Sequence, residues 1–308
     1  INFGTETVKG DNKFKSFFEF DFQLAEQGDE RISNSYNPRL RHAFLSYNNW
    51  LFGQTWSTFM NVGALPESVD FIGNTDGTIF VRQAMVRYTR GPWQFAIENP
   101  ETTVTPNGAA AGDPNPGSSG TRIVSDDNEW PDFVARYNMK AKSLDLVFAG
   151  LLRQLTFNNL DAGGTVNDSE MGWGISVTGK YVLGNKDDIR FGVNAGGGIG
   201  RYLALNAAND AIVNNNNSTL EAIDSMGLFA SWRHLWNQKW RSNFIYSRLD
   251  VDNNVSLSGT GALSETWSAR ANLMFDWATN LTLGGEITTA TRENESGADG
   301  DMNRLQFM

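Results

Sequence analysis

The feature that most constrains this fold is a two-residue alternation of apolar and polar side chains along most of the chain. Residues 18–23 read FEFDFQ, residues 133–140 read FVARYNMK, and residues 267–273 read WSARANL. Side chains alternate between the two faces of a β-strand, so each segment has one apolar and one polar face. No run of about 18 apolar residues occurs, which excludes a membrane-spanning helix. The pattern predicts an all-β protein.

The polar faces show which side of the sheet meets water. They carry arginine repeatedly, while tryptophan and tyrosine fall near the strand ends. The hydrophobic fraction of 40% is low for a protein with a thick core. It suits a barrel in which every second residue of each strand faces lipid. We therefore expect a transmembrane β-barrel, with lipid outside and water inside, in the bacterial outer membrane.

Fourteen of fifteen strand candidates come in pairs joined by very short turns, and long polar segments such as 99–131 and 199–219 separate the pairs. That asymmetry is typical of short periplasmic turns and long extracellular loops. A soluble propeller or solenoid would show a blade-length repeat, and none is present. The candidates are residues 1–8, 14–23, 39–47, 50–57, 79–89, 93–98, 132–140, 143–153, 172–181, 188–198, 223–235, 239–249, 266–277, 281–291 and 302–308.

The last candidate has no partner within the chain. One strand ahead of residue 1, together with further chain after residue 308, would complete an even number of strands. The prediction is thus one domain over residues 1–308, an antiparallel transmembrane β-barrel of about 16 strands.

Arginine dominates the predicted interior. The chain has 17 arginines and 8 lysines, and most acids lie in loops, among them Asp29, Glu30 and Asp113, so a protein of net charge −10 would hold a basic lumen. A positive lumen favours anions. The alternative is that arginines pair across the lumen with Glu19, Asp21, Glu98, Asp145 or Glu286 and only stiffen the wall. Arg82 falls on the wrong parity and has no predicted place. The predicted lumen arginines are Arg39, Arg41, Arg87, Arg136, Arg153, Arg190, Arg270 and Arg304.

Several classes of function are disfavoured by composition. The negative net charge argues against binding nucleic acid. Cysteine is absent, and the two histidines, His42 and His234, lie on different strands with no nucleophile or metal-ligand pattern beside them. We therefore expect no enzyme activity, no cofactor and no metal. The aromatic residues expected in interfacial girdles are Trp93, Trp173, Trp232, Trp240, Trp267, Trp277, Tyr137, Tyr181 and Tyr246.

Two blocks resemble a known family. Residues 53–59, GQTWSTF, and residues 64–71, ALPESVDF, are similar to the DcaP-like outer-membrane porins, with weaker support from residues 1–7, 39–44 and 131–137. The resemblance implies a homotrimeric 16-stranded porin in outer-membrane lipid and lipopolysaccharide that admits small anionic solutes such as dicarboxylates. A periplasmic coiled coil, which members often carry ahead of the barrel, is not visible in these residues.

The resemblance also places residues 58–78 in the third long loop, which in this architecture folds inward and narrows the pore. The segment is unusually apolar for a solvent loop, so it must pack somewhere. Packing at a subunit interface is the alternative. The residues predicted to narrow the pore are Pro66, Glu67, Asp70 and Phe71. Two other functions stay open, namely a general non-selective diffusion porin and a plugged surface barrel with an adhesive role.

Overall fold

Nineteen strands account for nearly all regular structure in the computed structural model, which describes residues 1–24, 37–108, 122–184 and 186–308. The predicted loop acids Asp29, Glu30 and Asp113 lie outside these ranges. The strands are β1 (Asn2–Lys9), β2 (Asn12–Leu24), β3 (Asn37–Tyr47), β4 (Trp50–Trp56), β5 (Arg82–Arg90), β6 (Trp93–Glu98), β7 (Thr102–Thr105), β8 (Ile123–Ser125), β9 (Asp132–Lys140), β10 (Leu144–Asn158), β11 (Asn167–Val182), β12 (Asp188–Gly197), β13 (Ala211–Asn214), β14 (Thr219–Ala222), β15 (Asp224–Leu235), β16 (Trp240–Asp252), β17 (Leu263–Ala278), β18 (Leu281–Asn294) and β19 (Asp299–Phe307).

Fifteen of these strands form one antiparallel sheet in the order β1-β2-β3-β4-β5-β6-β9-β10-β11-β12-β15-β16-β17-β18-β19. Each of the fifteen predicted strands overlaps one of them. Within the described ranges β1 and β19 stand at the two ends of the sheet with no ladder between them. The all-β antiparallel architecture is therefore confirmed, and the count of sixteen strands stays a prediction. No helix in the described part of the chain is long and apolar enough to cross a membrane.

Tight turns join the strands at one end of the sheet. Asn48 and Gly91 adopt left-handed backbone conformations, with φ of 50° and 58°, as two-residue hairpin turns require. Aromatic rings cluster beside these turns, with centroids 4.7 Å apart for Trp50 and Tyr88 and for Trp93 and Tyr137. This is the position expected of an interfacial girdle at the short-turn end.

Burial is inverted relative to a soluble sheet. Large apolar side chains on the outer face are exposed, including Phe133 at 45% and Leu152 at 57%. The inner face buries polar groups such as Asn194, Asn243 and Glu286. The alternation identified in the sequence thus places the apolar face outward, where a bilayer would cover it.

Long loops at the other end build structure of their own. The strands β14, β13, β7 and β8 form a separate four-stranded sheet, in which β13 and β7 run parallel. It packs over a cluster that includes Val104, Leu155 and Leu220. These short strands were not predicted, because they come from segments without a long alternating pattern.

Candidate functional site

The segment between β4 and β5, residues 57–81, is called here the inner loop because it packs against inward faces of the sheet. Its start is held by Glu98 on β6. The Ser57 hydroxyl donates to Glu98 Oε2 at 2.6 Å, and the Thr58 backbone N–H donates to Glu98 Oε1 at 2.7 Å. Glu98 is only 1% exposed, so this carboxylate binds the start of the loop and does not face solvent.

The loop then crosses the inward faces of β9, β11 and β12. Arg136 on β9 donates from Nη1 to the Met60 carbonyl at 2.7 Å. The Asn61 amide donates to Thr178 Oγ1 at 2.9 Å, and Arg190 donates to the Leu65 carbonyl. Two of the predicted lumen arginines therefore support the loop backbone.

The tip of the loop is held by charged groups on β16 to β19. Arg241 forms a 2.7 Å ion pair with Glu67. Glu286 accepts hydrogen bonds from the Ser68 hydroxyl at 2.9 Å and the Val69 N–H at 3.0 Å. Asp70 pairs with Arg270 at 3.1 Å and with Arg304. These contacts place the tip on the far side of the lumen from its start.

The returning limb fits against β12, β15, β16 and β17. Gly77 donates to Ser247 Oγ and accepts from the Asn194 amide, both at 2.8 Å. A β-carbon at Gly77 would lie 1.9 Å from the Leu228 carbonyl oxygen. Only glycine allows so close an approach of loop backbone to wall.

An open cavity of about 980 Å³ lies between the inner loop and residues of β3, β4 and β5 at the ends of these strands away from the short turns. Arg39, Arg41 and Arg82 line one side of it. The Arg41 guanidinium lies 5.5 Å from the centroid of the Phe71 ring, so the loop tip reaches the opposite wall. The predicted narrowing residues Pro66, Glu67, Asp70 and Phe71 all line this cavity.

The charges of the cavity wall are only partly compensated. Arg39 pairs with Asp21 at 2.7 Å, and Arg41 pairs with Glu19 at 2.6 Å and Asp21 at 3.0 Å. Arg82 lies over the Trp56 ring at 4.5 Å and has no hydrogen bond or ion pair to any residue in the described ranges. Among the described residues, this side of the cavity therefore sets three guanidinium groups against two carboxylates.

The other predicted arginines divide into paired and unpaired groups. Arg190 pairs with Asp188 at 2.9 Å, and Arg270 also approaches Glu286 at 3.6 Å. Among described residues, no carboxylate forms an ion pair with Arg87 or Arg136. Together with Arg39, Arg41, Arg153 and Arg304, six of the eight predicted arginines therefore pair with a carboxylate, and the pairing alternative holds for most of the set.

Arg153 corrects the sequence prediction. Its side chain is 0% exposed, and it lies 2.9 Å from Asp210 and 3.4 Å from Asp132. The Tyr202 hydroxyl donates to Asp132 at 2.7 Å and completes the buried cluster. A sealed guanidinium cannot meet a solute, so Arg153 is part of the wall and not of a solute pathway.

Sequence reasoning missed further arginines of the cavity and the inward face. Arg82 had no assigned face, because it lies on the opposite parity of β5 from Gln83 and Arg87, yet it lines the cavity. Arg241 and Arg233 were not considered, although Arg241 shares its strand face with the buried Asn243 and could have been found from that parity. Arg233 pairs with Asp188 beside Arg190.

The histidines have simple partners. His42 Nδ1 lies 3.0 Å from Thr55 Oγ1, and His234 Nδ1 lies 2.8 Å from Asp187 Oδ2. Across the described ranges, no group of three or more His, Cys, Asp or Glu side chains is placed to bind a metal ion.

The arrangement of an inward loop in a large antiparallel sheet can now be compared with known proteins. A family model for the DcaP outer membrane protein matches residues 2–308. The chain belongs to the DcaP outer membrane protein family. The family resemblance and the outer-membrane location predicted from the sequence are thereby confirmed. A search of curated proteins finds no match.

Solved structures agree on the fold. The chain is similar to the outer membrane channel DcaP of Acinetobacter baumannii, with a TM-score of 0.80 and 22% identity over 99% of this chain and 82% of that one. It is also similar to OmpF of Salmonella typhi, with a TM-score of 0.60 and 12% identity over 100% of this chain and 89% of that one. An anion-selective porin from Comamonas acidovorans has a TM-score of 0.55 and 10% identity, covering 99% of this chain and 86% of that one. The DcaP family member thus has the fold of outer-membrane channels and porins.

Proposed function

We propose that this DcaP family member is a porin through which small anions diffuse passively, with a preference over cations. The observation that carries the proposal is the wall of the open cavity, where Arg82, which has no carboxylate partner in the described ranges, adds a positive charge beside Arg39 and Arg41. A narrow, partly desolvated passage whose wall carries an excess of one sign of charge raises the local concentration of the opposite ion. Small carboxylates, dicarboxylates among them, suit guanidinium groups because a carboxylate accepts two parallel hydrogen bonds.

The inner loop sets the size limit in this proposal. Its tip lies opposite the arginine wall, and Phe71 meets Arg41 across the opening. A solute must pass beside this contact to leave the cavity. Pro66, Glu67 and Asp70 line the same edge, so bulkier side chains there should narrow the passage further.

The assembly is proposed to be a homotrimer in outer-membrane lipid and lipopolysaccharide. A structurally similar protein, OmpT of Vibrio cholerae, is described in a trimer form. The outward face of this sheet is broadly apolar, which suits both lipid and a neighbouring subunit.

The test is the zero-current potential of the purified protein in a planar bilayer under a tenfold potassium chloride gradient. Chloride preference in the wild type is expected, and Arg82→Gln should lower the chloride-to-potassium permeability ratio by up to about fivefold, since one charge at about 4 Å in water is worth about 1 kcal/mol. The matched control is Arg90→Gln, because Arg90 is exposed at the short-turn end of β5.

Each competing function has its own result in this test. Cation preference, or a ratio near one that Arg82→Gln leaves unchanged, would favour a general diffusion porin and overturn the proposed anion preference. The absence of any conductance would favour the plugged surface barrel.

A further inference from the structure

Two arginines outside the open cavity face inward without a carboxylate partner among the described residues. Arg87 lies on β5 and Arg136 on β9, on the two strands that flank β6. In the sheet register Arg87 pairs with Ala96 and Arg136 pairs with Gln94, so the two arginines are offset by two residues along β6. Strands two apart are separated by about 10 Å and two residues span about 7 Å. One solute between the two guanidinium groups could therefore contact both.

The surroundings of this pair are polar and uncharged. Thr89 pairs with Gln94 across β5 and β6, so a hydroxyl and an amide share the inward face with the arginines. Arg136 donates from Nε to Asn138 Oδ1 at 2.8 Å and from Nη1 to the Met60 carbonyl at 2.7 Å. A third, longer bond runs from Nη2 to Asn61 Oδ1 at 3.4 Å. These three bonds fix the orientation of its guanidinium and leave two of its five N–H donors unused.

Arg87 is the unusual member. Its guanidinium has no hydrogen bond and no ion pair within the described ranges, yet the residue is only partly exposed. The nearest acid on β6 is Glu98, and both of its oxygens are taken by Ser57 and Thr58. A partly buried guanidinium with all its donors unused provides strong charge-assisted bonds for an anion.

The position separates this pair from the cavity described above. Neither arginine lines that cavity. On β5, Met85 accepts the Thr58 hydroxyl at 3.7 Å, and Arg87 lies two residues nearer the short turn. On β9, Val134 packs in the same buried cluster as Phe59, and Arg136 lies two residues nearer the short turn. The start of the inner loop therefore stands between the pair and the cavity.

We infer that Arg87 and Arg136, with Gln94 and Thr89, form a second anion-binding site on the short-turn side of the inner loop, which takes a doubly charged oxyanion. Two guanidinium groups supply bidentate donors, and the amide and hydroxyl complete the shell. Binding at this site is independent of the proposed anion preference. The proposed function enters only in the further idea that a solute leaving the cavity binds next at this second site.

The direct test uses selenate as the probe, because it is doubly charged and its selenium scatters anomalously. Crystals of the whole protein soaked in selenate should show an anomalous peak between the Arg87 and Arg136 side chains. Arg87→Gln should remove the peak and weaken current block by sulfate at least about tenfold. Arg90→Gln, on the same strand but exposed at the turn, should change neither.

A second variant guards against loss of folding. Gln94→Glu leaves both arginines in place but puts a carboxylate between them, so it should abolish selenate binding in a protein that still assembles. A selenate peak that persists in Gln94→Glu, or its absence from the wild type, would overturn the inference.

The two proposals fail separately. Chloride preference without a selenate peak would leave the proposed function standing and remove the second site. A selenate peak lost in Arg87→Gln, together with cation preference in the bilayer, would support the site and overturn the anion preference.

Discussion

The two halves of the lumen use the same residue types for different purposes. In the covered half, from β9 to β18, inward charges such as Arg241 and Glu286 bind the inner loop. In the open half, from β2 to β5, Arg41 and Arg82 line a cavity instead. An inward charge therefore either holds the inner loop or lines the open cavity, according to whether the loop covers it.

The buried cluster around Arg153 gives the largest expected effect. Arg153→Ala removes the buried cation between Asp132 and Asp210 and leaves Asp132, among the described residues, only a 3.9 Å ion pair with Arg201, which should lower the free energy of unfolding by about 3–5 kcal/mol. Urea unfolding in detergent micelles measures this, with Arg90→Ala as the exposed control. The zero-current potential should not move. A changed ion preference at unchanged stability would place Arg153 in the open half after all.

Adding a side chain at Gly77, where the inner loop packs against the wall, should have the next largest effect. Gly77→Ala drives a methyl group into the Leu228 backbone, which should cost roughly 1–3 kcal/mol and displace the returning limb. Single-channel conductance should then change. Gly150→Ala is the matched control, because a β-carbon there meets nothing within 4 Å. Equal conductance in both variants would mean that the loop does not set the opening.

Loosening the loop tip is a gentler perturbation. Glu286→Gln weakens the charge-assisted bonds from Ser68 and Val69, each class of bond being worth about 1.5–3 kcal/mol. The expected result is more open-channel current noise with little change in mean ion preference. Glu293→Gln, exposed on the same strand, should behave as the wild type. Quiet currents in Glu286→Gln would show that the other anchors suffice.

Acidification should have the smallest effect over ordinary pH. Burial of the Asp70 carboxyl opposes ionisation, but hydrogen bonds from Arg304, the Ile72 N–H and Arg270 outweigh it and lower the pKa of Asp70. A depressed pKa means that the stabilising contribution is present in full above the unfolded value and is lost only as pH falls below the ordinary range. Conductance should therefore hold from pH 7 to about pH 5. Only at a pH below the usual titration range of a carboxyl group should the wild type approach the behaviour of Asp70→Asn, and a change already at about pH 6 would contradict this assignment.

The strands were predictable and the roles of the arginines were not. Arg136 and Arg153 both lie at inward positions of the neighbouring strands β9 and β10, and the alternation alone treats them alike. One donates to the inner loop, while the other is sealed beneath the loop residue Tyr202. The sequence around Arg153 does not predict its ion pair with Asp210, which lies 57 residues away.

The inner loop also shows what the sequence alone could not predict. Its apolar composition and the family resemblance predicted that it folds inward, but its path depends on anchors far along the chain, such as Glu286, which lies 218 residues from Ser68. The second sheet of loop strands depends equally on distant pairing, between β7 and β13.

The sequence by itself determined the all-β architecture, the fifteen strands of the large sheet and the family, because the face of each strand residue follows from its immediate neighbours. The tertiary structure decided which inward arginines are sealed, which hold the loop and which meet open space. That division depends on where one loop lies in the lumen, and a loop's position is set by contacts between residues that are close only in the folded protein.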